Sequence, residues 1–301
     1  VDPLVGGIHA GRAEVLSLSA TARPLADAVA RSRSLIAGLR RTPTGSGGAA
    51  GPVFLGLAGG LQRLSDRLAE DLDDIRLGTA VQTIGPSGRG YSVECSPGLD
   101  VEAGAVVLAV PAFAAAGMVS ALSPPAAAGL AAIRYASVVT ATLAYPPSAV
   151  PRPLEGSGML VPRVERRLIT ACTWSTTKWP ALAAGGMVLL RASAGRDGDT
   201  RAMELDDDEV VHRVHDELTE ALDLSEPPAR SLVSRWPRGF PQYEVGHQAR
   251  VDEIEAALAA DAPNVVVAGA PYRGLGIAAC VDQARQAATR VTTALAASDA
   301  S

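Results

Sequence analysis

Lysine is almost missing from this chain. Lys178 is the only one among 301 residues, arginine carries the rest of the positive charge, and the net charge is −5. No cluster of Lys and Arg forms a track that could follow a phosphate backbone, which excludes nucleic acid as a partner. Cysteine is scarce as well: Cys95, Cys172 and Cys280 are odd in number and far apart. With no CxxC pair and no histidines at ligand spacing, they support neither a disulfide framework nor a zinc site, and a reducing cytoplasm suits them. No apolar run approaches the roughly 20 residues of a spanning helix and no signal peptide opens the chain, so a soluble protein is expected. A Ser/His/Asp constellation is absent too.

What remains is a chain 48% hydrophobic, able to bury a substantial core as two domains or one large one. Its abundant alanine and arginine have the bias of high-GC bacterial coding. The chain opens on Val1, and VDPLVGGIHAG reads like the middle of a fold, so sequence upstream is expected.

Periodicity sorts the chain into elements. Residues 1–11 read as a glycine-rich stretch ending in an irregular turn, and 14–20 as a short helix or turn. Leu, Ala and Val at helical spacing over 22–38, with Arg opposite, predict one amphipathic helix. RRTPTGSGGAAGP at 40–52 has the composition of a flexible surface loop. Leu61, Leu64, Leu68 and Leu72 form a stripe that predicts a helix packed on a sheet. Strands are expected at 75–84, 91–95 and 105–110, the last an apolar run typical of a buried strand, followed by helices at 112–122 and 124–133. Recurrent β-rich runs at 137–144, 158–161, 168–173 and 187–194 predict a mixed or antiparallel sheet. Asp206, Asp207 and Asp208 cap a helix running to Leu222, with acids where the dipole favours them. A strand at 229–236 and a helix at 249–260 follow.

The most informative stretch is NVVVAGAPYRGLGIAACVDQARQAATRV at 264–291. A β-branched run, a glycine turn and an apolar helix are implied, in the manner of a nucleotide-binding corner. The glycines alone fit an ordinary strand–turn–helix corner equally well. The order of elements gives an α/β nucleotide-binding part near 70–112 and 235–301 with a β-rich segment inserted between.

The pieces PLVGGIHAG (3–11), FLGLAGGLQRL (54–64), the strand from Val81 to Ile84, VVLAVPA (106–112), FPQYEVGH (240–247) and AGAPYRGLGIAACVDQARQAA run in order along nearly the whole chain. Together they resemble the oxygen-dependent protoporphyrinogen/coproporphyrinogen III oxidase family, flavoproteins of the monoamine-oxidase-like superfamily. The PQYxVGH and GxxYxGxGI pieces carry the specificity; the others are shared across the superfamily. The resemblance implies a mixed α/β fold: a Rossmann-like FAD/NAD(P)-binding domain, incomplete at its N-terminus, with an inserted β-rich substrate domain. Its segments would be a substrate or helical region at 1–69, FAD-binding parts at 70–112 and 235–301, and a substrate-binding part at 113–234.

By the same resemblance, noncovalent FAD takes hydride from a porphyrinogen, O2 reoxidises it to give hydrogen peroxide, and the reaction belongs to heme biosynthesis. With the composition of an actinobacterial protein, coproporphyrinogen is the first-choice substrate. Val81 would hold the adenine end through its backbone. Gly269 and Ala270 would lie near the pyrophosphate and ribityl chain, Gly276 and Ile277 near the flavin ring, Trp236 beside the isoalloxazine, and Gly7 close to the substrate. Ala278-Ala279 and Gln283-Ala284 stand where the family often has Pro-Asp and Ser-Gly. The strand, GxGxxG and helix with which such enzymes begin are not in the sequence, so the chain is expected to be the C-terminal two-thirds of the enzyme. A peripheral membrane or ferrochelatase contact would fall to the amphipathic stretch at 22–38, whose default reading is core-facing.

Plainer readings stand beside these. Trp236 has the context of a buried packing residue, and Tyr243 and His247 either orient substrate or flavin or, for the histidine, bond to backbone. His212 and His215 read as a solvated helix face and Cys280 as a small buried residue, while Tyr272 and Arg273 are undecided. Competing functions are a flavin amine oxidase or desaturase of the same superfamily and a non-catalytic tetrapyrrole-binding protein.

Overall fold

A computed structural model describes residues 2–41, 55–88, 90–183 and 185–299. They form two compact units, each built from separate stretches of chain. The first comprises Val1–Val15, Leu39–Asp73 and Tyr135–Phe240; the second comprises Leu16–Gly38, Asp74–Arg134 and Pro241–Ser301. Residues 16–38 and 113–134 therefore cluster with the C-terminal stretch.

The first unit opens on α1 (Asp2–His9). Sequence suggests an irregular GGIHAG turn here, but Gly6 and Gly7 are helical and the turn is the helix end. Ala10 is left-handed at φ 47°, and the Gly11 N–H donates to the Gly6 carbonyl at 2.9 Å, which closes the helix. In the second unit, α2 (Leu18–Thr21) and α3 (Arg23–Arg31), with α4 (Leu35–Arg41), whose last residues count with the first unit, replace the single helix expected over 22–38. The serines at the break explain it. Ser32 is extended, its Oγ accepts from the Ser34 N–H at 3.2 Å, and Ser34 Oγ accepts from the Ala37 N–H at 3.4 Å. Side-chain bonds of this kind compete with the helical ladder. The two helices then meet closely, since a Cβ on Gly38 would stand 2.2 Å from the Ala28 carbonyl oxygen. Beyond Arg41, the loop expected at 40–52 lies outside the described residues.

Helix α5 (Gln62–Ala69) lies within the expected helix, but its packing is not as expected. Leu61, Leu64, Leu68 and Leu72 are all exposed, because among the described residues no apolar face lies against the stripe. Spacing sets which residues share a face; it does not supply the cover.

The second unit continues with β1 (Ala80–Ser87), β2 (Gly90–Ser96) and β3 (Leu99–Ala103), an antiparallel sheet in that order. Residues 75–79 precede the strand instead of belonging to it. Next come β4 (Val106–Leu108), α6 (Ala112–Met118) and α7 (Pro124–Ala131). The apolar run at 105–110 yields a strand of only these three residues, Val107 is exposed, and among the described residues β10 alone pairs with it.

Back in the first unit, β5 (Tyr135–Tyr145), β6 (Gly158–Leu160), β7 (Ile169–Trp174), α8 (Ser175–Lys178), β8 (Val188–Ala194), α9 (Arg201–Glu204), α10 (Asp207–Leu222) and β9 (Arg230–Pro241) follow. Their five strands are ordered β6-β7-β8-β5-β9, with β6, β7, β8 and β5 antiparallel in turn. The core lies between this sheet and α10. Val139, Leu143, Ile169 and Leu190 face Val210, Val214 and Leu218, whose spacing of four places them on one helix face. Asp206 and Glu209 form a reciprocal capping box at the start of α10. Farther along, the Glu217 carboxylate accepts from the Leu168 and Ile169 N–H groups at 2.7 and 3.0 Å, pinning the start of β7 to the helix.

The second unit closes with α11 (His247–Asp261), β10 (Val265–Val267) and α12 (Ile277–Asp299). β10 runs parallel to β4, pairing Val265 with Val106 and Val267 with Leu108. Helices α7 and α11 touch where a Cβ on Gly129 would meet Ile254 at 2.7 Å. No helix among the described residues is long and apolar enough to cross a membrane.

Candidate functional site

The connection from β10 to α12 is built on constrained backbone. Val265 and Val266 are buried, and the Ala268 N–H extends the pairing by donating to the Leu108 carbonyl at 3.2 Å. The chain then turns through Gly269 at φ 119° and Gly274 at φ 142°, conformations that L side chains rarely adopt. Gly274 is doubly constrained, because its Cβ would fall 2.6 Å from the Ala279 Cβ.

Gly276 is different. No positive φ demands glycine there, and a Cβ would meet nothing within 4 Å. Its side is open, at the start of a helix whose ladder begins with the Cys280 N–H donating to the Gly276 carbonyl. The Ile277, Ala278 and Ala279 amides precede the first intrahelical bond, and residues 276–278 are exposed. A helix of 23 residues thus presents free N–H groups and its positive dipole end beside open space. Such a place suits an anionic or hydrogen-bond-accepting group. The G-x-G-x-x-A spacing of Gly274, Gly276 and Ala279 matches a dinucleotide fingerprint, though residues 268–273 separate it from β10, whereas the fingerprint follows its strand directly.

The turn is held from behind. Tyr243 Oη donates to the Ala270 carbonyl at 2.6 Å and accepts from the Gly274 N–H at 2.9 Å. His247 stacks on the Tyr243 ring at 4.0 Å and contacts the Tyr272 carbonyl through Nε2 at 2.8 Å. A carbonyl only accepts, so Nε2 carries the proton. Burial holds the imidazole below the ordinary histidine range, with Arg250 and Arg273 acting in the same direction against the Tyr272 bond. The Arg273 guanidinium pairs with Glu255 and Asp252 on α11, and these bonds raise its pKa. The Arg273 backbone N–H donates to Gln283 Oε1 on α12 at 3.3 Å, so a residue that departs from the family pattern ties the turn to the helix. Of the undecided pair, Tyr272 is buried, whereas Arg273 is exposed and ion-paired with Glu255. For His247, the backbone-bonded reading holds.

Gly269, Ala270, Gly276 and Ile277 accordingly share one turn. Val81 stands in the same unit on β1, where the register shifts between Val81 and Thr83. A bulge leaves backbone groups outside the ladder, which is what a backbone contact to a ligand needs. Trp236 belongs to the first unit and is 49% exposed, not the buried packing residue its neighbours suggest; its Nε1 donates to Thr140 Oγ1 at 3.3 Å. Gly7, also of the first unit, sits in α1, where a Cβ would meet only Leu160 Cδ2 at 3.5 Å. Packing does not require glycine there, although glycine costs a helix about 1 kcal/mol relative to alanine.

The other titratable candidates are structural. Exposed His212 pairs with Asp216 at 3.5 Å, whereas His215 meets Tyr145 Oη at 3.1 Å, so the two do not converge. No group of three His, Cys, Asp or Glu among the described residues is placed to hold a metal. The three cysteines are free, and burial pushes the Cys172 thiol up to about 12. Cys280 is half-buried with Sγ 3.8 Å from the Gly274 carbonyl.

Comparison with known proteins gives these features a context. The family model for flavin containing amine oxidoreductase matches residues 1–292. Coproporphyrinogen III oxidase of Bacillus subtilis (strain 168) is 36% identical over 302 residues, covering 98% of this chain and 64% of that protein. The enzyme of the same name from Mycobacterium tuberculosis (strain ATCC 25618 / H37Rv) is 36% identical, with 98% and 63% covered. Among solved structures, a protein from Exiguobacterium sp. 255-15 provisionally called protoporphyrinogen oxidase superposes with a TM-score of 0.82 at 29% identity, covering 98% of this chain and 62% of that one. A putrescine oxidase variant, at 20% identity and a TM-score of 0.61 over 78% of this chain and 53% of that one, shares the fold. The chain thus spans somewhat under two-thirds of the length of these relatives. With a family model running over all but the last residues, the chain belongs to the flavin containing amine oxidoreductases.

Proposed function

We propose that the protein to which this chain belongs is an FAD-dependent oxidase that converts coproporphyrinogen III to coproporphyrin III, with O2 as acceptor, in heme biosynthesis. The observation that carries the reading is the turn between β10 and α12, where Gly276 opens onto free space beside unbonded helix amides. Such a cradle fits the polar edge of a flavin. Kinship with coproporphyrinogen III oxidases along 98% of the chain supports that choice of substrate.

FAD would supply the redox chemistry, accepting two electrons at a time from the macrocycle and passing them to O2. Three such oxidations remove six electrons and six protons and yield three molecules of hydrogen peroxide. The chain's residues do the holding. Gly269, Ala270, Gly276 and Ile277 would bind the cofactor along the turn, the α12 dipole would favour negative charge there, and Val81 would offer its backbone to the adenine end. In the first unit, Trp236 would face the isoalloxazine and Gly7 would leave room for the macrocycle. No side chain of this chain is assigned a proton transfer.

The complete gene product, supplied with coproporphyrinogen III or protoporphyrinogen IX under oxygen, is expected to form fluorescent porphyrin, faster from the former, with peroxide accumulating in a ratio of about three to one. Absence of porphyrin from both substrates would overturn the reading.

A further inference from the structure

Three backbone groups of the turn, on alternate residues, are held by two side chains four residues apart in sequence, the second at the start of α11. Tyr243 holds the Ala270 carbonyl and the Gly274 N–H through a single hydroxyl, and His247 holds the Tyr272 carbonyl. Both are nearly inaccessible, at 2% and 1% exposure. Their rings stack with an interplanar angle of 15°, so neither moves without the other. The stack is itself anchored, since the His247 N–H donates to the Glu244 carbonyl at 2.9 Å, and Gln242 donates through its N–H to the Arg134 carbonyl at 2.8 Å. Gly276 and the amides that follow receive no such support. They inherit their direction from the segment that ends at Gly274.

We infer that Tyr243 and His247 are positioning residues that lock the Ala270–Gly274 segment so that the Gly276–Ala279 amides are presented to the flavin. The inference rests on the flavin reading of this turn. A hydroxyl that both donates and accepts across the turn, and a ring nitrogen on its midpoint, define the segment at three points. Packing alone would be met by any aromatic pair; the hydrogen bonds require tyrosine and a side-chain N–H donor.

Three variants of the complete gene product test this: Tyr243→Phe, which keeps the ring and removes the hydroxyl, His247→Gln, which keeps an N–H donor, and His247→Leu, which removes it. For Tyr243→Phe and His247→Leu, FAD dissociation constants from flavin fluorescence should rise about tenfold or more, while KM for the porphyrinogen at saturating FAD stays within about twofold. His247→Gln should recover most of the loss. Hydrogen exchange without FAD should show faster exchange confined to 270–279, independent of whether flavin binds. FAD affinities within twofold of wild type in both disruptive variants would overturn the proposal. So would exchange accelerated throughout the chain, which marks ordinary destabilisation. Wild-type protein that takes up no FAD while its turn remains protected would instead defeat the flavin reading, and the cofactor role of the pair with it.

Discussion

At the scale of single residues, the glycines of the turn separate into two kinds, and substitution should separate them. Gly274→Ala places a side chain 2.6 Å from Ala279 Cβ at a φ of 142°, so it should destabilise the fold by about 1–3 kcal/mol, read as a lowered Tm. Gly276→Ala meets nothing within 4 Å and should leave Tm unchanged, while weakening FAD binding by filling the open side. A second residue prediction concerns pH. His247 in the fold holds its proton less tightly than in the unfolded chain, whose histidine titrates near 6.5. Below that pH the unfolded chain binds more protons, so stability is complete above about 6.5 and falls as the pH drops through it. His247→Gln should flatten that part of a Tm profile recorded between about pH 5 and 8. The turn was legible in the sequence because the valine run and glycines are contiguous. The lock was not: Tyr243 and His247 stand out in PQYEVGH, but their partners lie 25 to 31 residues onward, and no local pattern encodes such a bond.

At the scale of elements, helix α10 shows what a readable signal looks like. Three aspartates followed directly by Glu209, which stands three residues after Asp206, suit a capping box, and the structure has one. Asp206→Ala should cost about 1 kcal/mol in a denaturant titration. Glu217→Ala should cost more, because two buried-edge amides at the start of β7 would lose their acceptor. Elsewhere the glycine pair in α1 hid a helix behind poor propensity, and the serines between α3 and α4 hid a break behind an intact apolar stripe. β3, reading LDVEA, was missed because a short strand with acids on its open side has the composition of a turn. At the α3–α4 break side-chain hydrogen bonding, and in β3 strand pairing, outweighed local preference.

At the scale of the whole molecule, the described residues leave two unmatched surfaces. The α5 leucine stripe is exposed in the first unit, and the parallel sheet of the second unit has only β4 and β10, with Val107 in solvent. A two-stranded parallel sheet is a weak base for a dinucleotide site, since parallel strands are ordinarily covered on both faces. The sequence also holds no strand, GxGxxG and helix for the pyrophosphate, and the α12 amides offer donors at one helix start only. Among the described residues of this turn only the α12 start offers such donors, and a pyrophosphate that gains few protein bonds keeps its water. The 301-residue polypeptide, expressed by itself, is thus expected to leave gel filtration nearly colourless, and to bind a hydrophobic dye through the α5 stripe. The complete gene product should emerge yellow, with close to one flavin per chain. Stoichiometric flavin absorbance at 450 nm, on the order of one flavin per polypeptide, in the 301-residue chain would sink the prediction. It would mean that the turn from Gly269 to Ile277, with the Val81 bulge, binds the cofactor without a second set of phosphate donors.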